Sequence, residues 1–242
     1  MNSGARLIFG ASSKFVVELC SLENVSVEHV DECIFVLRWQ GACDKSLWLA
    51  CGLENLFEST WISVENCGRR QLVSSFFDFI SLDYQAEIDE IRNISCYRHL
   101  LDLCVLFRGS SAKSILDVGC GVGLIRKVVD DSVQVVGYDL SRGVSRIAEQ
   151  NGLEIVSEAN FANGVGNFDA VVSAYAMHYA VEPGFTIDAV ARHMSPVGIW
   201  AMNFHKGLGF DAFVQRLDTS PLSVLVSSCS RDYGKLLVVG HR

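Results

Sequence analysis

No stretch of the 242-residue sequence approaches the ~20 consecutive apolar residues needed to cross a bilayer, so a membrane span is not expected. Basic runs are missing as well. Lys and Arg total 20, scattered among 28 Asp and Glu, and the formal net charge of −8 leaves no basic stripe for tracking a phosphate backbone. Nucleic acid is therefore a disfavoured partner. The nine cysteines, an odd number at irregular spacings, include no C-x-x-C pair, which fits neither a disulfide framework nor a zinc site. Free thiols in a reducing, cytoplasmic compartment are expected, with no metal centre. The opening residues MNSGARLIFGASSKF hold one Arg and a short apolar stretch before Ser12, Ser13 and Lys14, a poor match to a signal peptide. Internal repeats and low-complexity segments are also lacking.

What is present is apolar mass: 50% of the residues are hydrophobic and 20% charged. That share can cover both faces of a parallel sheet and excludes disorder on the scale of a domain. The length suits one large α/β domain, or a compact catalytic domain with a small extra module.

Short β segments are expected at residues 6–9, 14–20, 25–30, 33–39, 46–50 and 61–64, punctuated by Gly41, Asp44, Gly52, Glu54 and Asn55. They read as an antiparallel β-rich module. Between 66 and 75 the period changes, and over 83–107 Tyr84, Ile88, Ile91, Tyr97, Leu101 and Cys104 recur on a helical stripe, with Asp83 as N-cap and Gly109 as the stop. From there strands and helices alternate with short connections, the sign of βαβ units. Strands are expected at 114–118, 134–138, 154–156, 168–173 and 199–204, and helices at 124–130, 142–150, 185–194 and 210–217. Segments 223–228 and 235–239 close the chain as a hairpin.

The most informative stretch is SILDVGCGVGL, Ser114 to Leu124, which reads strand, glycine turn, helix. A glycine loop alone leaves nicotinamide and flavin dinucleotides open. Two details shift the weight. Dinucleotide binders space their glycines G-x-G-x-x-G so that a helix N-terminus meets a pyrophosphate, whereas here the spacing is Gly119-x-Gly121-x-Gly123. Asp117 at the strand end would repel a pyrophosphate and suits a cationic ligand, such as the sulfonium and ammonium of S-adenosylmethionine.

Ile115 to Gly123, ILDVGCGVG, resembles the first motif of class I S-adenosylmethionine-dependent methyltransferases, and the resemblance continues in order through roughly the second half of the chain. It implies an α/β fold: a Rossmann-like seven-stranded sheet over residues 76–242, with five parallel strands and a C-terminal hairpin that contains the one antiparallel strand. The β-rich module at 1–75 precedes it, as a substrate cover or a surface for a protein partner or a second copy. The resemblance implies S-adenosylmethionine as cofactor, with Gly119, Gly121 and Gly123 beneath its methionine and ribose portions and Asp117 at its methionine end. Cys120 belongs to the same cofactor-binding loop; similar proteins often carry Cys there with no chemical role, so packing is expected of its thiol.

Further along, Asp139 at the second strand end would accept from both ribose hydroxyls, or serve only as a helix-start acid beside the better cap candidate Ser141. By resemblance Leu140 packs on adenine. Ser157-Glu158-Ala159-Asn160 resembles an adenine-reading signature, with Glu158 accepting from the exocyclic amine and the Ala159 backbone meeting a ring nitrogen. The usual acid is Asp, Asn160 could share the task, and the alternative is a pair of solvated loop residues. The fourth strand ends at Ser173 beside the transferable methyl, and the residues after it carry neither an Asn/Asp-Pro-Pro-aromatic sequence nor a Pro-Cys nucleophile. Asp169 lies too early in that strand to be catalytic. His178 is the only histidine that motif order places near the methyl; it could act as general base or simply as structure. Val197 in Ser195-Pro196-Val197-Gly198 stands where relatives carry glycine, which bears on the geometry of that turn. Tyr84 and Tyr97 belong either to a helix that closes over the methionine end or to the core. The expected activity is methyl transfer to an O, N or C atom of a small molecule. Protein methylation, or a catalytically silent binding module, is the alternative.

Overall fold

A computed structural model of the chain describes residues 5–10, 23–30, 34–40, 53–57, 60–63, 69–81, 84, 88–180 and 182–242. The expected strands at 14–20 and 46–50, and Asp83 as a cap, lie outside these residues. The chain divides into two units, Met1–Ile80 and Ser81–Arg242.

The first unit is a five-stranded sheet in the order β2-β3-β1-β5-β4, made of β1 (Ala5–Gly10), β2 (Val25–Val30), β3 (Ile34–Trp39), β4 (Leu53–Phe57) and β5 (Thr60–Ser63). Its neighbours run antiparallel except β1 and β5, which are parallel with Leu7 opposite Trp61. β4 is not expected from the sequence. Helix α1 (Arg69–Ile80) packs on β1, β3 and β5 and buries Leu72, Val73, Phe76 and Ile80, which fall on one face at helical spacing. A boundary at 75/76 would cut this helix. Because its apolar stripe covers the first sheet, the division falls after Ile80 instead.

In the second unit, α2 (Glu90–Arg108) starts at Asp89, whose carboxylate accepts from the Arg92 N–H at 2.9 Å. It ends at Gly109, in a left-handed conformation with its N–H on the Val105 carbonyl. Its buried face is Cys96, Tyr97, Leu100 and Cys104, so the stripe differs in part from the expected one; Ile91 is 83% exposed.

Seven strands follow in the order β11-β12-β10-β9-β6-β7-β8: β6 (Ser114–Val118), β7 (Gln134–Tyr138), β8 (Glu154–Ile155), β9 (Phe168–Ser173), β10 (Met194–Phe204), β11 (Leu222–Ser230) and β12 (Gly234–His241). All adjacent pairs are parallel except those made by β12. Between them lie a short 3₁₀ turn (Leu124–Lys127), α3 (Arg142–Gln150), α4 (Glu158–Asn163), α5 (Pro183–His193) and α6 (Phe210–Leu217). The middle strands are buried on both faces, as βαβ crossovers require, and their side chains, with Trp200, Phe204, Phe213 and Leu237, form one continuous core. Each fully buried aliphatic or Phe side chain there is worth about 1.5–3 kcal/mol.

The expected helix at 124–130 is only the 3₁₀ turn, and α4 occupies what the sequence suggested was a loop. Val197, expected in a turn, lies instead within the irregular start of β10 and needs no special backbone, because Tyr175 and Lys206 are the only non-glycine residues with positive φ among the described residues. No helix among the described residues is long and apolar enough to cross a membrane.

Candidate functional site

The strand order reverses between β6 and β9: the chain leaves β6 toward β7 and β8, then returns to β9 on the other side of β6. In open α/β sheets this switch point opens a crevice at the carboxyl ends of the strands. The ends of β6, β7 and β9 converge there, bringing together Asp117, the glycine loop, Asp139 and the segment after Ser173.

Gly119, Gly121 and Gly123 have φ of 77°, 54° and 81°, a region that glycine enters without strain. Gly119 is also closely approached. A Cβ there would lie 2.2 Å from the Cβ of Ala176, so the loop after β6 and the segment after β9 touch only because residue 119 has no side chain. Cys120 is buried against β7, where its Sγ would be 2.8 Å from a Cβ on Gly137. Burial and the carboxylates of Asp139 and Asp117 push its thiol well above the ordinary value, so it packs as a neutral group.

Asp117 is fully buried. Its Oδ2 accepts from the Tyr97 hydroxyl at 2.9 Å, while Oδ1 has no hydrogen-bond partner. Burial raises the carboxyl to about 8; the Tyr97 hydrogen bond lowers it and the charge of Asp139 raises it. A buried, half-satisfied acceptor of this kind costs stability unless something completes it. Tyr97 could not be assigned from its place on a stripe, because only the fold brings helix and strand end together. Tyr84 is also close: its hydroxyl would be 3.2 Å from a Cβ on Gly121, and burial with the charges of Asp139, Cys120 and Asp117 raises its phenol.

Asp139 joins two loops. Its Oδ2 accepts from the Gly121 N–H and its Oδ1 from the Ser141 N–H, both at 2.9 Å. The cap of α3 is Ser141, whose hydroxyl accepts from the Val144 N–H at 3.1 Å. Leu140 comes next, partly exposed.

Glu158 and Ala159 are exposed on the first turn of α4, capped by Ser157, whose hydroxyl accepts from the Asn160 N–H at 3.2 Å. They are thus helix residues, not loop residues. The helix is anchored by Phe161, fully buried and stacked 3.8 Å from the Tyr138 ring. Ser173 is fully buried, and its hydroxyl accepts from the Trp200 indole N–H at 3.0 Å, so its side chain faces the core. Asp169 lies at the far end of β9, paired with Arg108 at 2.7 Å and with the Lys113 N–H at 2.8 Å.

His178 sits in a short 3₁₀ turn (Met177–Tyr179), its ring 4.0 Å from that of Tyr179 and 5.9 Å from that of His205. Burial, then the His205 imidazole, lowers it to about 3, so it is neutral at physiological pH. Groups of three or more His, Cys, Asp or Glu able to hold a metal do not occur among the described residues.

The second unit is thus a doubly wound, Rossmann-like sheet with a carboxylate, a glycine loop and a second acid at its switch point, and the proteins it resembles are methyltransferases. Residues 116–202 match the family model described as "Methyltransferase domain". Among curated proteins, the ubiquinone biosynthesis O-methyltransferase of Ralstonia nicotianae is 31% identical over 98 residues, covering 36% of this chain and 41% of that protein. The one from Albidiferax ferrireducens is 27% identical over 134 residues, covering 51% and 48%. The chain thus spans less than half the length of these relatives in the matched stretches. A solved magnesium protoporphyrin IX methyltransferase from Synechocystis PCC 6803 superposes with a TM-score of 0.57 at 15% identity, covering 74% of this chain and 100% of that one, a likeness of fold.

Proposed function

We propose that this chain moves the methyl group of S-adenosylmethionine to an O, N or C atom of a small-molecule acceptor, with oxygen favoured because the curated relatives are O-methyltransferases. The observation that carries the cofactor part is Asp117: a buried carboxyl with one unpartnered oxygen is completed by a cationic group of the cofactor's methionine end. Gly119, Cys120, Gly121 and Gly123 give the backbone surface beneath that group. Asp139, held by the two loops it joins at the end of β7, takes the ribose hydroxyls. Leu140 covers adenine, and Glu158 with the Ala159 backbone lies at its polar edge. Ser173 contributes through its backbone, since its hydroxyl serves Trp200.

When bound, the cofactor supplies an activated methyl on a sulfonium whose leaving group is neutral. The protein's task is then to align the acceptor and keep water out, which the segment after β9 does by closing on Gly119. His178 at about 3 is a poor proton sink, so in this reading it shapes the acceptor wall and accepts a hydrogen bond. The buried thiols of Cys96 and Cys104, each raised to about 12 by burial, suit a reducing cytoplasmic setting. Association with a partner or a second copy through the first unit is compatible with these roles.

Methyl-labelled S-adenosylmethionine, incubated with the protein and panels of phenols, amines and carbon acids, or with mixed proteins, tests the substrate class. Label in an extractable small molecule is the expected result. Label only in precipitable protein would overturn it.

A further inference from the structure

Asn203, in β10, is fully buried, and a buried amide is costly unless its bonds are made. Both are. Its Oδ1 accepts from the Tyr175 N–H at 2.7 Å, and its Nδ2 donates to the Tyr233 carbonyl at 2.8 Å. A backbone N–H only donates and a carbonyl only accepts, so the two partners fix which way the amide faces.

Those partners lie on either side of β10, one beyond the end of its neighbour β9 and the other in the turn that leads into its neighbour β12. Tyr175 follows β9 and has φ of 53°, a left-handed conformation that is strained for an L-residue and persists only where its surroundings enforce it. The next residue, Ala176, is the one that leaves no room for a Cβ on Gly119. Tyr233 belongs to the turn between β11 and β12. That turn is tied to α2, where the Ser95 and Tyr233 hydroxyls lie 2.7 Å apart and Arg92 Nε donates to the Asp232 carbonyl at 3.1 Å. The Tyr175 hydroxyl donates to the same carbonyl at 3.3 Å.

We propose that Asn203 is a positioning residue: its amide holds Tyr175 in the left-handed conformation and braces it on the β11–β12 turn, which fixes Ala176 against Gly119 and sets the shape of the cofactor loop. The inference rests on the cofactor reading above. It makes binding of S-adenosylhomocysteine depend on a side chain that does not touch the ligand.

Calorimetric titration with S-adenosylhomocysteine tests this, each variant being measured at a temperature where circular dichroism shows it folded. Asn203→Leu, which keeps the branched shape and removes both bonds, is expected to bind at least about fivefold more weakly. A smaller loss overturns the proposal. In a Tyr175→Gly background the left-handed backbone carries no penalty, so the factor lost on Asn203→Leu should shrink by at least about threefold; an undiminished loss would mean general loosening of the fold. If Asn203→Leu does not fold, Asn203→Asp decides. Protonated, its carboxyl accepts from the Tyr175 N–H and donates to the Tyr233 carbonyl, whereas ionised it loses that donor. Relative to wild type at the same pH, affinity should stay within about fivefold on the acid side of its titration and fall on the alkaline side. A greater loss on the acid side, or no fall on the alkaline side, overturns the proposal. Failure of the wild-type protein to bind S-adenosylhomocysteine at all would instead refute the cofactor reading.

Discussion

At Asp117 the chemistry of one residue gives a signal that can be measured without knowing the acceptor. With its carboxyl at about 8, the ligand-free protein holds this group mostly protonated at neutral pH. A cation placed against Oδ1 favours the carboxylate, so cofactor binding near pH 7 should release close to one proton. The binding enthalpy should then differ between buffers of different ionisation heat, and Asp117→Asn should abolish the difference. Stability carries the same sign. The folded-state value lies above the unfolded one of 3.8, so the folded protein binds more protons between about pH 4 and pH 8. Rising pH across that window should cost the ligand-free protein up to about 1.4 kcal/mol per pH unit from this group, read as a falling midpoint of unfolding. A buffer-independent enthalpy would show that binding leaves the protonation of Asp117 unchanged, contrary to this expectation.

Elements whose pattern is local were legible in the sequence. Strands β6, β7 and β9 and helices α3 and α6 stand where periodicity placed them, because buried strands bounded by glycine and a helix capped by Ser141 carry their own signals. What depends on packing was not. Helix α1 was hidden because its stripe of Leu72, Val73, Phe76 and Ile80 spans the assumed boundary, and α4 because its six residues are fixed by Phe161 stacking on Tyr138. The face of α2 differs in part for the same reason: Tyr97 and Cys104 of the expected stripe are buried, but Cys96 and Leu100 join them while Ile91 faces solvent. At the site, the glycines and both acids were readable from motif spacing, whereas Tyr97, Tyr175 and Asn203 reach it only through the fold. The contact between the loop after β6 and the segment after β9 can be tested by substitution. Gly119→Ala adds a Cβ 2.2 Å from that of Ala176 and places it at φ of 77°. This change should weaken S-adenosylhomocysteine binding by about tenfold or more while the far-ultraviolet spectrum is kept. Unaltered affinity would mean that the two segments separate freely.

Across the whole molecule, the two units each have their own sheet, and α1 completes the first by covering it. A protein beginning at Ser81 should therefore fold and keep cofactor affinity, as judged by cooperative unfolding and calorimetry, whereas one beginning at Ser75 would carry a cut helix with an apolar face. Loss of cooperative unfolding in the Ser81 form would show that Met1–Ile80 is needed to complete the second unit. The topology of that unit places Asp117, with its unpartnered oxygen, at a switch point that dinucleotide-binding sheets use for a pyrophosphate, and an acceptor there, which a cationic group completes and a phosphate does not, would separate the two ligand classes.

That separation can be measured directly by titrating the intact protein with S-adenosylhomocysteine and, separately, with NAD in the same calorimeter and buffer. S-adenosylhomocysteine is expected to bind at least about a hundredfold more tightly, a difference of about 2.7 kcal/mol. Tight binding of NAD with no heat from S-adenosylhomocysteine would contradict the account.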